Sequence, residues 1–289
     1  TVHIFDGRDE ETLKAVWSAA DIYTELSDNT QESFGLTVLE AMANSLPVVL
    51  SDWAFSREIV ENGKSGLLIP TTGPVPGLTD ELALLSSLSL IDYESHVGLV
   101  SQFVSVDVSQ AAKAYAELIE NSEKRSELGK NAKAVVAARF NANLVIRQYC
   151  HLIGELSRLR RAPVNEPAPA ERSLFTYPTR LDTAVMFAEY SSATLSPESV
   201  LRLHGSADDL KDLVGRLEAL YFGTIAKSML LPVAELSKLI DLIGEKGECS
   251  LSDVTLLYSS AHGKALLLSV LWLSKVGCIK IVEGARVAV

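Results

Sequence analysis

Two glutamates, Glu32 and Glu40, flank the run Ser33-Phe34-Gly35-Leu36-Thr37-Val38-Leu39. The residues after Gly35 favour a helix, which the pattern starts near Phe34. The amides of Phe34, Gly35, Leu36 and Thr37 would then form a first turn without internal acceptors. Together with the positive end of the helix dipole, such donors make a site for phosphate. Gly35 has no Cβ to hold a ligand away from the backbone. Glu40 lies about six residues along, roughly 9 Å at ~1.5 Å per residue. That spacing suits one carboxylate at a sugar, the other at a ribose, and a diphosphate between them. Accepting two hydroxyls with one carboxylate is what the acidic residue of dinucleotide folds does. The bland alternative makes Glu32 a dipole-favoured residue and Glu40 a solvated helix position. A hydrolase carboxylate pair fits less well, because with the whole stretch helical the acids stand ~12 Å apart, beyond the ~9.5 Å limit for inverting enzymes.

The flanks specify how the stretch is held. Ala20-Asp21-Ile22-Tyr23-Thr24-Glu25-Leu26 reads as a strand, and Pro47-Val48-Val49-Leu50-Ser51 reads as the next. Loop and helix between two short apolar strands are the βαβ arrangement of parallel sheets.

The run from Ser27 to Val49 resembles the E-x7-E region of family 4 retaining glycosyltransferases. The likeness continues through Ser51-Asp52-Trp53, Arg57-Glu58-Ile59-Val60 and Asn62-Gly63-Lys64-Ser65-Gly66-Leu67-Leu68-Ile69-Pro70. It extends over roughly the first 160 residues, and it departs at Ser45, where the family usually has glycine. The resemblance implies an α/β fold, the Rossmann-like C-terminal half of a GT-B enzyme, N-terminally truncated. It also implies metal-independent transfer from a nucleotide-sugar, which is substrate and not cofactor. Carried over by position, Glu32 holds the donor sugar near its reacting carbon. Backbone groups of Ser33, Phe34, Gly35, Leu36 and Thr37 bind sugar hydroxyls and diphosphate, and Glu40 holds the ribose. The other half, which holds the acceptor, and the basic residues that meet the diphosphate are absent, so the chain alone is expected to be a poor catalyst. The acceptor class stays open between a saccharide, a lipid-linked sugar and a small molecule.

Composition narrows the remaining classes. A hydrophobic content of 47% over 289 residues is ample for buried cores and for two domains. A net charge of −11 argues against a general nucleic-acid binder. Cys150, Cys249 and Cys278 are widely spaced with no C-x-x-C, as in a reduced, cytoplasmic protein without a zinc site. Peripheral attachment at the inner membrane face is compatible with this reading. No G-x-G-x-x-G follows a strand, which disfavours a dehydrogenase.

Along the chain, Val2-His3-Ile4-Phe5 reads as a strand and Glu10 to Ala19 as a helix. Residues 78–106 mix apolar and acidic side chains without firm periodicity and read as a lid-like excursion with short helices. Asp80, Glu81, Asp92, Glu94 and His96 match no ligand spacing there, so a solvated acidic loop is the expectation. Helices are expected over Val108–Leu118, Ser122–Phe140 and Asn143–Arg160, the last with a stripe of Leu144, Ile146, Tyr149, Leu152, Ile153 and Leu156 to bury. The partial donor-binding domain thus spans 1–161, and the Pro/Ala-rich stretch 162–171 reads as a linker. Residues 172–289 read as a mainly helical, winged-helix-like domain. Its expected helices are Pro197–Leu203, Ala207–Leu220, Val233–Gly247, Leu251–Leu257 and Gly263–Val276, with a ribbon over Cys278–Val289. The helix at Gly263–Val276 is almost wholly apolar, with only Lys264 and Lys275 basic, so a protein partner or self-association is favoured over DNA. The function read from all this is hexosyl transfer of the EC 2.4 class in carbohydrate biosynthesis. The rival is a catalytically silent scaffold or regulatory protein on the same fold.

Overall fold

A computed structural model describes residues 1–161, 181–220, 227–258, 262–282 and 285–286. The first helix, α1 (Glu10–Ala19), begins where Asp9 accepts the amide of Thr12. Three strands follow, β1 (Tyr23–Glu25), β2 (Val48–Ser51) and β3 (Leu67–Ile69), paired in parallel in that order. Between the first two lies α2 (Leu36–Ala43), and α3 (Ser56–Ile59) follows β2. All four residues of β2 are buried, as a strand covered on both faces requires. One face packs Val38, Met42, Val48, Leu50 and Phe55 with Ala132 of α7 (Ser122–Arg139). The other packs Val49 and Ile69 with Leu118 of α6 (Val108–Glu120) and with Leu128. Val2-His3-Ile4-Phe5, expected as a strand, finds no neighbouring strand among the described residues, and Ile4 is 93% exposed.

Packing groups the rest of the chain differently from its covalent order. Beyond β3 come β4 (Thr71–Gly73), α4 (Asp80–Ser87), α5 (Tyr93–Ser101) and β5 (Ser105–Val106). Leu82, Leu99, Val100 and Phe103 share one core with Leu239, Ile240, Ile243 and Leu271 from the far end of the sequence. The stretch expected as a lid is therefore core material; its helices were foreseen and its burial was not. Asp92 caps α5 through Ser95, and Asp80 pairs with Lys264 at 2.6 Å.

The later elements are α8 (Ala142–Arg161), α9 (Thr183–Met186), β6 (Ala193–Thr194), β7 (Val200–Leu203), α10 (Ala207–Leu217), α11 (Val233–Lys246), β8 (Cys249–Ser250), α12 (Leu251–Thr255), α13 (Gly263–Lys275), β9 (Ile279–Ile281) and β10 (Ala285–Arg286). Residues 162–171, read as a linker, lie outside the described residues. The helix expected over Pro197–Leu203 is instead strand β7, which takes edge pairings from β8 and β9. Among the described residues of the ribbon expected from Cys278 onward, β9 joins β7, while β10 joins β6 in a sheet with β4 and β5, and the two do not pair with each other. In α13 Leu266, Leu268, Val270, Leu271, Trp272 and Leu273 are all buried, as its sequence demanded. The stripe of α8 meets the opposite outcome. None of its residues is buried: Leu144 is half-exposed, and Ile146, Tyr149, Leu152, Ile153 and Leu156 stand exposed. Among the described residues no helix is long and apolar enough to cross a membrane.

Candidate active site at the head of the second helix

The acidic stretch follows the carboxyl end of β1, where open parallel sheets hold their ligands. Its loop is built by local polar contacts. Asn29 Oδ1 accepts the amides of Gln31 at 3.0 Å and Glu32 at 3.2 Å, a side-chain substitute for a backbone turn. Glu32 Oε1 then accepts the amide of Gly35 at 2.9 Å. Gly35 has φ of +65°, a conformation that disfavours any Cβ, and an added Cβ would stand 2.5 Å from the Phe55 ring. The glycine is therefore required by its backbone turn and by Phe55, a reason the sequence alone did not supply.

The helix begins at Leu36, two residues later than expected. Val38, Ala41 and Met42 point into the core, whereas Thr37 and Glu40 face solvent and Leu36 is 68% exposed. The amides of Leu36 and Thr37 make no hydrogen bond among the described residues; that of Gly35 is taken by Glu32. Phe34 lies edge-on to Phe140 with ring centres 6.0 Å apart, and Ser33 is exposed. At the helix start Leu36 and Thr37 are exposed, whereas the capping Gly35 is buried beside the Phe55 ring.

A second carboxylate belongs to this neighbourhood and was not singled out from sequence. Glu25, the last residue of β1, accepts from Tyr23 at 2.6 Å, from Thr37 at 3.1 Å and from Ser27 at 3.1 Å. Tyr23 also stands 2.9 Å from Thr37 Oγ1. Burial, reinforced by the Glu25 hydrogen bond, pushes the Tyr23 hydroxyl far above its usual range, and the charge of Glu32 acts in the same direction. Glu32, Glu25, Tyr23 and Thr37 thus form one polar neighbourhood. Glu40 is one turn beyond Leu36 on the same helical face and makes no contact with Glu32.

Later parts of the chain brace the loop. The Trp53 indole donates to the Asn29 carbonyl at 3.0 Å, and Trp53 bridges to Ser191 and meets the Tyr190 ring edge-on. Arg57 donates to Asp52 at 2.6 Å and to the carbonyls of Glu189 at 2.8 Å and Tyr190 at 2.6 Å. Lys275, at the end of α13, pairs with Asp28. A cleft of about 870 Å³ lies elsewhere, between residues 52–110 and 192–282, and none of the residues from Glu32 to Glu40 lines it.

A parallel βαβ unit with an open, acid-flanked helix start is what the first part of the chain presents. Residues 1–89 match the family described as Glycosyl transferases group 1. A stretch of 73 residues is 40% identical to D-inositol 3-phosphate glycosyltransferase of Corynebacterium urealyticum, covering 25% of this chain and 17% of that enzyme. Among solved structures, the C-terminal domain of a glycosyl transferase group 1 family protein (LpcC) from Francisella tularensis is 22% identical over 48% of this chain and 53% of its own, with a TM-score of 0.31.

Proposed function

We propose that the chain belongs to a retaining glycosyltransferase of the GT-B type that moves a sugar from a nucleoside-diphosphate-sugar to an acceptor. The observation that carries this reading is the uncovered start of α2, with the amides of Leu36 and Thr37 unspent between Glu32 and Glu40. A diphosphate on those amides gains charge-assisted hydrogen bonds and the favourable end of the helix dipole. Both interactions strengthen as negative charge accumulates on the departing nucleotide, so they favour the transition state over the bound donor.

Glu32 is tied to Gly35 by one oxygen and keeps the other for a sugar hydroxyl. Its charge stands close enough to stabilise positive character developing at the reacting carbon. Glu40, solvated and unpaired by any described residue, holds the ribose hydroxyls. Glu25, fixed by Tyr23, Thr37 and Ser27, keeps the first turn of α2 in register with β1 and is a positioning residue. No metal takes part in this scheme. Steady-state kinetics test the division of labour. Glu40→Ala should weaken donor binding by roughly tenfold, the loss of a hydrogen bond to a charged group, while Glu32→Ala should chiefly lower turnover. Unchanged kinetics in both variants would remove the assignment.

A further inference from the structure

The 870 Å³ cleft belongs to no part of the donor scheme and falls within the size range of small-molecule sites. Its position is informative. Asp52 follows directly on β2 and Pro70-Thr71 directly on β3, so the cleft opens at the carboxyl ends of two strands of the parallel sheet. That is the edge on which such sheets bind ligands, and the acidic loop after β1 occupies its neighbouring part. The opposite wall comes from the far end of the sequence through His204 and β9.

The charges lining it are matched. Arg57 pairs with Asp52 at 2.6 Å, and Lys280 with Asp107 at 3.2 Å; all four side chains are less than a third exposed in the first pair and in the second. A free anion would meet the carboxylates of Asp52 and Asp107, and a free cation would meet Arg57 and Lys280. Neither sign of net charge is therefore favoured. What remains is a wall of mixed hydrogen-bonding capacity. Asp52 has an oxygen beyond the one held by Arg57, Lys280 has N–H groups beyond the one given to Asp107, and the side chains of Ser109 and Gln110 make no hydrogen bond among the described residues. Alternating donors and acceptors are what sugar hydroxyls require, because each hydroxyl donates one hydrogen bond and accepts others.

From this geometry we propose that the cleft is a second binding site, separate from the donor loop, for a neutral oligosaccharide. Ser109 and Gln110 at the start of α6, Asp52 after β2 and Lys280 on β9 contact its hydroxyls. The proposal does not depend on donor binding at Glu32 and Glu40.

Saturation-transfer NMR on the whole chain tests it with three neutral probes: maltotriose, cellotriose and mannotriose. At least one should receive saturation, and inorganic phosphate in excess should not displace it. The double variant Ser109→Ala/Gln110→Ala, at half-buried and exposed positions of the first turn respectively, should weaken that binding on the order of tenfold. His204→Ala, at an exposed position across the cleft, provides a second reading should the double variant unfold, and should also weaken binding. Glu40→Ala should leave it unchanged. Absence of transfer to all three probes, or binding lost in Glu40→Ala but kept in the cleft variants, would overturn the proposal. Loss of nucleotide-sugar binding in Glu40→Ala with trisaccharide binding intact would separate the two sites.

Discussion

The carboxylate of Glu32 accepts the amide of Gly35 at 2.9 Å, so the first acid of the pair is bound to the residue that caps the helix carrying the second. One hydrogen bond thereby fixes both the loop's acid and the entry angle of α2.

Gly35→Ala tests how far that turn depends on glycine. The φ of +65° costs an alanine about 1–2 kcal/mol, and the Phe55 ring must also retreat from the new Cβ. We expect a loss of roughly 2–3 kcal/mol in urea unfolding. A change below about 0.5 kcal/mol would mean that the turn rearranges at little cost.

The turn after α2 carries a second backbone constraint. Ser45 has φ of +64°, and its carbonyl oxygen would stand 2.0 Å from a Cβ added at Gly129. Ser45→Gly should therefore stabilise by about 0.5–1 kcal/mol, the left-handed strain relieved less the added freedom of the unfolded chain. Gly129→Ala should destabilise by about 1–3 kcal/mol, because backbone and not a flexible side chain blocks it. Paired thermal melts would show the two shifts with opposite signs.

Lys275 ties α13 to the acidic loop through Asp28, yet burial draws its ammonium down to about 8. The unfolded chain keeps this proton up to about 10.4. Between those values the unfolded state binds more protons, so the contribution of Lys275 to stability rises with pH across that window. Wild type should gain on Lys275→Met as urea titrations move from pH 8 to pH 10. A constant difference would contradict the sign.

Thiol chemistry should sort by burial. Cys150 is exposed, whereas burial raises the Cys249 thiol and pushes Cys278 up to about 11. Since the thiolate is the reactive form, an aromatic disulfide reagent at pH 8 should modify Cys150 promptly and the other two only with unfolding. Prompt loss of all three thiols would refute the packing around α11 and α13.

Much of this architecture could be read from local signals. Helix α1 runs over the expected Glu10–Ala19, and α7 starts at Ser122 after its Asn121 cap, because capping side chains and apolar spacing act within a few residues. The misreadings share a cause. Val200–Leu203 became a strand because β8 and β9 flank it, and the residue 78–106 stretch became core because distant helices cover it. Neither fact is local. At the site, the acid spacing stood out, but Glu25 did not. Its partner Thr37 lies on another element, and only folding brings β1 and α2 together.

The most direct measurement follows backbone amides in a labelled chain titrated with nucleoside-diphosphate-sugars. The account predicts that Leu36 and Thr37 shift most, and that Glu40→Ala weakens the response about tenfold at an unchanged fold. If no nucleotide-sugar moves those two amides, or if the shifts fall in another part of the chain, the head of α2 is not the donor site.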